Sequence, residues 1–309
     1  MCALDRRLPT LITRLLVPLD GSALAEQILP AAKSMAVKLG AGLTLLHVLE
    51  RSAPASVHGE RHLAEPGEAE AYLSALAEGL RTEGLDVDYH VHPNPERDVA
   101  ASIVSHAAEL TNDLIVMSTH GTGGLRDVVV GSIAEQVVRK GTTPVLLVRP
   151  GQVPATGLEI RRVMAPLDGS HNAELALAYA DLLARAWSAR LMLVRVVPYR
   201  GDLAGDQAAV ASMLPSATEA ALEIEREDAA EYLSSLASER SRAGIECEVA
   251  VLRGDPTSMV LECAEKRGAD IVVVVTHGRV GIGAFWTASV GHRLSERLTK
   301  PVLLVKTQD

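Results

Sequence analysis

Aromatic residues are scarce in this chain, with one Phe, two Trp and five Tyr among 309 residues. A core on that supply cannot be filled with large rings. It must be built from Leu, Val, Ile and Ala, a mix that suits parallel sheets flanked by helices. Cysteine is scarce too: Cys2, Cys247 and Cys263 form neither a CxxC pair nor a metal-ligand spacing, and they read as structural or incidental in a reducing compartment. Excess positive charge is missing, since 30 Lys and Arg face 39 Asp and Glu for a net charge of −9. That balance argues against a nucleic-acid partner, whose phosphates need Lys and Arg to neutralise them. No apolar run approaches the length of a membrane span, and Met1-Cys-Ala-Leu-Asp-Arg-Arg7 lacks the apolar centre of a signal peptide. The expected address is the cytoplasm, with no membrane partner.

Familiar enzyme signatures are missing as well. There is no Gly-x-x-x-x-Gly-Lys-Ser/Thr phosphate loop. There is no Gly-x-Gly-x-x-Gly fingerprint either, because Arg126 stands where the last glycine falls after Gly121 and Gly123. No Lys or Arg is placed by motif to stabilise a phosphoryl-transfer transition state, and Arg126 is the only nearby candidate. No catalytic residue is assigned on these grounds, and binding without fast turnover is the expectation.

What the chain does have is one organising stretch, Ser118-Thr-His-Gly-Thr-Gly-Gly-Leu-Arg-Asp-Val-Val-Val-Gly-Ser132. It follows the apolar run Asp113-Leu-Ile-Val-Met117, which reads as a buried strand, and ends on Ser132-Ile-Ala-Glu135, which reads as a helix start. Backbone N–H groups in a first helical turn lack intrahelical partners and carry the positive end of the helix dipole, so they attract a phosphate. Glycines let that backbone come close. An ordinary loop closed by a Ser132–Glu135 capping box is the alternative.

Taken in order, Leu11 to Leu19 reads as a first strand, closing on Asp20-Gly21-Ser22, with Ser22 placed to cap a helix running to about Leu39. Gly40 ends that helix and Leu43 to Leu49 is a second strand. Residues 51–66 read as loop, about 67–82 as helix, Leu85 to Val91 as a third strand and about 98–109 as helix. A helix to about Lys140 follows the glycine-rich stretch, and Pro144 to Arg149 is a fifth strand.

The second half repeats the first. Val17-Pro-Leu-Asp-Gly-Ser22 recurs as Ala165-Pro-Leu-Asp-Gly-Ser170, an offset of 148, and Asp113–Gly121 recurs as Asp270–Gly278, an offset of 157. Pro144-Val-Leu-Leu-Val148 recurs as Pro301-Val-Leu-Leu-Val305. The growth in offset places an insertion in the second copy, most simply in a loop around 198–218. Two domains, 1–150 and 160–309, are expected, joined by a linker over 151–159. Each reads β-α-β-α-β-α-β-α-β, which predicts a parallel sheet with helices on both faces and a ligand site beyond the carboxyl ends of the strands.

Each half resembles a universal stress protein domain, and the whole resembles a tandem member of that family. The resemblance implies two tandem doubly wound five-stranded parallel sheets of the adenine-nucleotide α-hydrolase-like kind, with flavodoxin- or Rossmann-like layering. Nucleotide-binding members carry Gly-x-x-Gly, nine residues, then Gly-Ser or Gly-Thr. Here Ser118-Thr-His-Gly121 is followed by nine residues and Gly131-Ser132, so only Ser118 departs. By resemblance, Asp20 at the end of Pro18-Leu19 binds ribose and the backbone of Val48 lines the adenine. Gly121, Gly131 and Ser132 hold phosphates, with His120, Met117, Ser118 and Ile133 alongside. A weaker second site falls on Asp168, Val196, Val275, His277, Gly278, Ala288 and Ser289. There, Val275 replaces Ser118 and Ala288 replaces Gly131, and both side chains intrude where backbone should meet phosphate.

The expected ligand is therefore ATP, accompanied by Mg2+, bound mainly in the first copy as a conformational signal in a stress response, with the 119–130 loop ordered on binding and an unidentified protein partner reading the result. A non-nucleotide scaffold and a slow ATPase are the alternatives. Family members dimerise through the fifth strand, so Pro144–Arg149 pairing with Pro301–Lys306 makes a pseudo-dimer within one chain, and a homodimer stays open. Simpler roles compete at several positions. Asp20 and Asp168 also suit turns before a helix, and His120 and His277 suit structural hydrogen bonds. His47 reads as a satisfied core histidine. His58 and His62 have no supporting ligand framework, so no metal site is assigned. The acidic run Glu219–Glu231 reads as a solvated helix face.

Overall fold

The computed structural model describes residues 12–51, 56–57, 60–61, 63, 65–119, 132–203, 205–276, 293–294, 297 and 299–306. The chain divides into two units, residues 1–159 with 303–309, and residues 160–302.

In the first unit, β1 (Arg14–Pro18) pairs in parallel with β2 (Gly42–Glu50) on one side and with β6 (Leu114–Ser118) on the other. The strand β5 (Val87–Glu96) lies outside β2, and β7 (Val145–Val148) lies beside β6. Strand order is thus β7-β6-β1-β2-β5. The chain leaves β1 towards β2 and β5, then returns to its other flank at β6, and this reversal opens a crevice at the strand ends. Strand β2 is buried from Gly42 to Leu49, as a central parallel strand covered on both faces must be. The largest fully buried side chains are Leu, Ile and Met, including Leu15, Leu16, Met35, Leu46 and Ile115, so the core is aliphatic as composition required.

Helix starts and stops follow local chemistry. Ser22 Oγ accepts a 3.1 Å bond from Ala25 N–H and caps α1 (Ala23–Glu26). The single helix expected up to Leu39 is broken at Gln27 and Ile28, and α2 (Leu29–Leu39) restarts with Pro30 in its first turn, where the missing N–H costs nothing. Gly40 closes α2 at φ +65. Residues 51–66, expected to be loop, hold a minimal antiparallel hairpin, β3 (Ser56–Val57) and β4 (Glu60–Arg61). Helix α3 (Pro66–Thr82) follows. Strand β5 runs past its expected end at Val91 to take in Pro93 and Pro95, which it tolerates because it pairs on one side only. Asp98 caps α4 (Val99–Glu109), accepting from Ala101 N–H at 2.9 Å, and α5 (Ser132–Lys140) precedes β7.

The second unit repeats the frame. Strand β8 (Arg162–Pro166) pairs in parallel with β9 (Arg190–Val197) and β11 (Ile271–Thr276), and β10 (Cys247–Arg253) lies outside β9. Where β12 (Val302–Lys306) begins, Val272 N–H donates to Pro301 C=O, as Ile115 N–H donates to Pro144 C=O in the first unit. Helices α6 (Leu175–Trp187) and α9 (Pro256–Lys266) match α2 and α4. The insertion is not a loop. A 3-10 turn (Arg200–Asp202), α7 (Gly205–Met213) and the start of α8 (Pro215–Arg242) occupy residues 198–218, and α8 has 28 residues where α3 has 17. Only Leu222, Ala229 and Leu233 of α8 are buried, which fits a solvated acidic face. No described helix is long and apolar enough to cross a membrane.

The end of the 151–159 segment is docked. Gly157 adopts φ +107 against α2, and Leu158 N–H donates to Ser34 Oγ at 2.8 Å. One device common to both units holds the central strand. Asp113 Oδ2 accepts from Thr13 N–H, Thr13 Oγ1 and Arg14 N–H at 2.8, 2.8 and 3.2 Å. Asp270 Oδ2 does the same for Arg161 and Arg162 N–H at 2.8 and 2.9 Å. Each carboxylate thus satisfies backbone donors where the first strand enters the sheet. Asp113→Ala and Asp270→Ala are each predicted to lower the unfolding free energy by about 1–3 kcal/mol, measured by urea denaturation, with Asn at either site losing less.

Candidate functional site

The crevice of the first unit is assembled from the ends of β1, β2 and β6. Beyond Pro18, Leu19 N–H still donates to Leu46 C=O at 2.8 Å, and the chain then turns through Asp20-Gly21-Ser22. Gly21 sits at φ +88, which favours glycine, and a Cβ there would also have to displace the Leu63 side chain, whose Cδ1 lies 2.5 Å from its position. Asp20 Oδ1 accepts from Ser22 N–H at 2.9 Å and from Ser22 Oγ at 2.7 Å. This is the turn-stabilising role that competes with ribose binding. Both bonds fall on Oδ1, and neither uses Oδ2.

Val48 gains its position from strand geometry. Leu46 directs its N–H and C=O towards β1, and Val48, two residues on, directs its own the same way. Since β1 ends at Pro18, opposite Leu46, those Val48 groups lie past the end of the neighbouring strand. His47 faces the other way: it pairs along β5 with Val91, its ring is 1% exposed, and Nδ1 lies 2.8 Å from Leu19 C=O with Nε2 3.3 Å from Leu63 C=O. It is a core histidine that braces the Asp20 turn.

On the other side of β1, β6 ends at Met117 and Ser118, with Thr119 N–H donating to Val148 C=O at 2.9 Å. Ser118 is 4% exposed, and its Oγ is buried without a hydrogen-bond partner among the described residues. Such an orphaned hydroxyl costs free energy until something pairs with it. Ser132 opens α5, and Ile133 beside it is exposed. Pro18, Leu19, Asp20, Val48, Met117 and Ser118 therefore belong to the ends of three adjacent strands. His120, Gly121 and Gly131 lie outside the described residues, as do His58 and His62.

The second unit keeps the turn and changes its surroundings. Asp168 Oδ1 accepts from Ser170 N–H at 2.8 Å, Gly169 takes φ +83, and Leu167 N–H donates to Val194 C=O, which places Val196 as Val48 is placed. Val275 stands at the end of β11 next to Thr276, whose buried Oγ1 has no partner among the described residues. His277, Gly278, Ala288 and Ser289 lie outside the described residues. Sequence reasoning passed over Arg195, which occupies the His47 position at the same offset of 148 that relates the two Asp-Gly-Ser turns. Its Nη1 lies 2.8 Å from where a Cβ on Gly169 would stand, and its guanidinium lies 5.7 Å from the centre of the Tyr232 ring. Tyr232, on the lengthened α8, donates its hydroxyl to Glu174 Oε1 at 3.1 Å. Burial, and then the Glu174 carboxylate, hold that phenol well above its ordinary pKa, so it stays a neutral donor.

The fold is that of a tandem doubly wound α/β protein of the adenine-nucleotide α-hydrolase-like class. The profile of the universal stress protein family matches residues 12–149 and 159–306, and the chain belongs to that family. Among curated relatives, it is similar to the universal stress protein MJ0531 of Methanocaldococcus jannaschii, 27% identical over 47% of this chain and 82% of the relative. It is also similar to the universal stress protein YxiE of Bacillus subtilis, 29% identical over 45% of this chain and 100% of the relative. Each such relative thus corresponds to about half of the chain. Among solved structures, a universal stress protein from Archaeoglobus fulgidus has the same fold over 95% of this chain and 98% of its own, with a TM-score of 0.70 at 20% identity. The functionally unknown protein PA1789 of Pseudomonas aeruginosa gives a TM-score of 0.67 at 18% identity, over 97% of this chain and 94% of its own.

Gly169→Ala is predicted to destabilise the second unit by about 1 kcal/mol, chiefly through the positive φ. The Arg195 guanidinium is the far end of a flexible side chain and can yield, so in a double-mutant cycle of unfolding free energies adding Arg195→Ala should recover little and leave the φ part.

Proposed function

We propose that the first unit binds an adenine nucleotide, ATP with Mg2+, as a conformational signal to a protein partner in the cytoplasm, and that the second unit binds it weakly or not at all. The observation that carries this reading is the buried Ser118 Oγ, without a partner among the described residues, at the strand-order reversal, across β1 from the Val48 backbone groups that lie past the end of that strand. The donor set suits the ligand. Asp20 Oδ2 can accept from ribose hydroxyls while Oδ1 keeps the turn. The Val48 N–H and C=O match the acceptor and donor on the edge of an adenine ring. The N-terminus of α5 and the glycine-rich residues before it would hold the phosphates, with Mg2+ offsetting their charge in a chain that is itself acidic.

In the second unit, Val275 replaces the Ser118 hydroxyl, and Arg195 with Tyr232 fills the flank of the Asp168 turn. These changes support loss of affinity there. The test is calorimetric titration of ATP and magnesium into single variants. Asp20→Asn, which keeps the Oδ1 acceptor of the turn, and Gly121→Val are expected to weaken binding at least about tenfold, which is about 1.4 kcal/mol, while circular dichroism and melting of the ligand-free protein stay nearly unchanged. Equal affinity in both variants would remove the site from the first unit. A Ser118→Val variant, which imitates the second unit, should weaken binding without unfolding.

A further inference from the structure

Away from the strand-end crevices, three histidines of the first unit meet. His90 and His92 stand two residues apart on β5, so their side chains leave the same face of the sheet. His106 reaches them from α4, with its ring centre 4.8 Å from that of His90 and 5.0 Å from that of His92. One ring nitrogen from each lies within 4.8 Å of the others. Around a tetrahedral zinc ion with Zn–N bonds of about 2.0–2.1 Å, ligand nitrogens stand about 3.3 Å apart. Ring shifts on the order of 1 Å close the difference.

The outer hydrogen bonds are already those of a ligand set. His106 Nδ1 lies 2.8 Å from Ser102 C=O, so Nδ1–H donates there and Nε2 keeps its lone pair. His92 Nε2 lies 3.2 Å from Glu96 Oε1, so Nε2–H donates to the carboxylate and Nδ1 keeps its lone pair. A histidine fixed through one nitrogen by a carbonyl or carboxylate, with the other nitrogen free, is the usual form of a metal ligand. His106 is 6% exposed, whereas His90 and His92 are half-buried, which leaves a path for an ion. Burial, and then the His106 and His92 rings, hold His90 below its ordinary pKa, while Glu109 acts in the opposite sense. Packed imidazoles of this kind repel one another when protonated and are joined by a shared cation when neutral.

We propose that His90, His92 and His106 form a binding site for a divalent transition-metal ion, zinc in the first instance, with Glu96 and the Ser102 carbonyl orienting two of the rings. Three neutral imidazoles suit zinc, nickel or copper and offer nothing to magnesium or calcium, which take oxygen ligands. The site is therefore separate from any Mg2+ that travels with a nucleotide. Three protein ligands leave a fourth position for water. The ion would fasten the edge strand β5 to α4, which follows it after Arg97 and Asp98.

The test uses the full chain, stripped with a chelator, dialysed and titrated with zinc chloride by calorimetry, with melting followed in parallel. One zinc per chain and a raised melting temperature are expected. Glu96→Gln should weaken binding about tenfold, His90→Gln and His106→Gln should weaken it further, and His171→Gln, on the exposed surface of the second unit, should leave it unchanged. Cobalt in place of zinc should give a tetrahedral visible absorption band that His90→Gln abolishes. Absence of zinc binding by the folded wild-type chain overturns the proposal, and so does binding that His90→Gln and His106→Gln leave intact. If the buried His106→Gln variant fails to fold, the half-buried His90→Gln carries the same decision.

Discussion

The constraint on which the rest of each unit depends is the place of its first strand. β1 and β8 lie inside their sheets, and the chain leaves each on one flank and returns on the other. Right-handed crossovers then send the connecting helices to opposite faces, so the loops after β1 and β6 part and leave a crevice between them. Asp113 and Asp270 hold the entry of that central strand by accepting its first backbone N–H groups. With the strand fixed at one end, its other end delivers the Asp20 or Asp168 turn to the same place in both units.

Within that common frame, a few substitutions set different chemistry. The first unit braces its turn with a buried histidine and ends β6 on a serine hydroxyl that has no partner among the described residues. The second puts a guanidinium at the histidine position, backs it with a tyrosine from a longer helix, and carries Val275 at the Ser118 position, one residue before the end of β11. A polar cluster of Arg195, Tyr232 and Glu174 fills the flank of the second turn, while among the described residues each unit keeps one buried strand-end hydroxyl without a partner, Ser118 in the first and Thr276 in the second. Two halves of one ancestry can thus diverge in binding while their sheets stay alike.

How much of this was legible depends on how local each signal is. The Asp-Gly-Ser turns could be read directly, because an aspartate accepting from the residue two ahead, a glycine at positive φ and a serine cap all act within six residues. The buried strands showed as unbroken aliphatic runs, and the repeat fixed their order along the chain. The inserted segment misled, since Pro198, Gly201, Gly205 and Pro215 look like loop, whereas Ala208-Ala-Val-Ala-Ser212 carries helix propensity and makes α7. The break in the first helix was hidden because Pro30 is harmless only once the helix restarts just before it. Arg195 and the three histidines were out of reach for another reason. Their partners come from α8 and α4, helices that hold none of the quoted motifs, and no spacing along the chain encodes that docking.

The central claim is that one unit of the pair holds nucleotide. Denaturing extraction of the purified chain, followed by mass spectrometry of the released nucleotides with stoichiometry per chain, tests it most directly. About one ATP per chain is the result expected from an intact first site and an altered second one. No nucleotide released, together with no calorimetric response to added ATP and magnesium, would contradict the account and leave the two units as a scaffold.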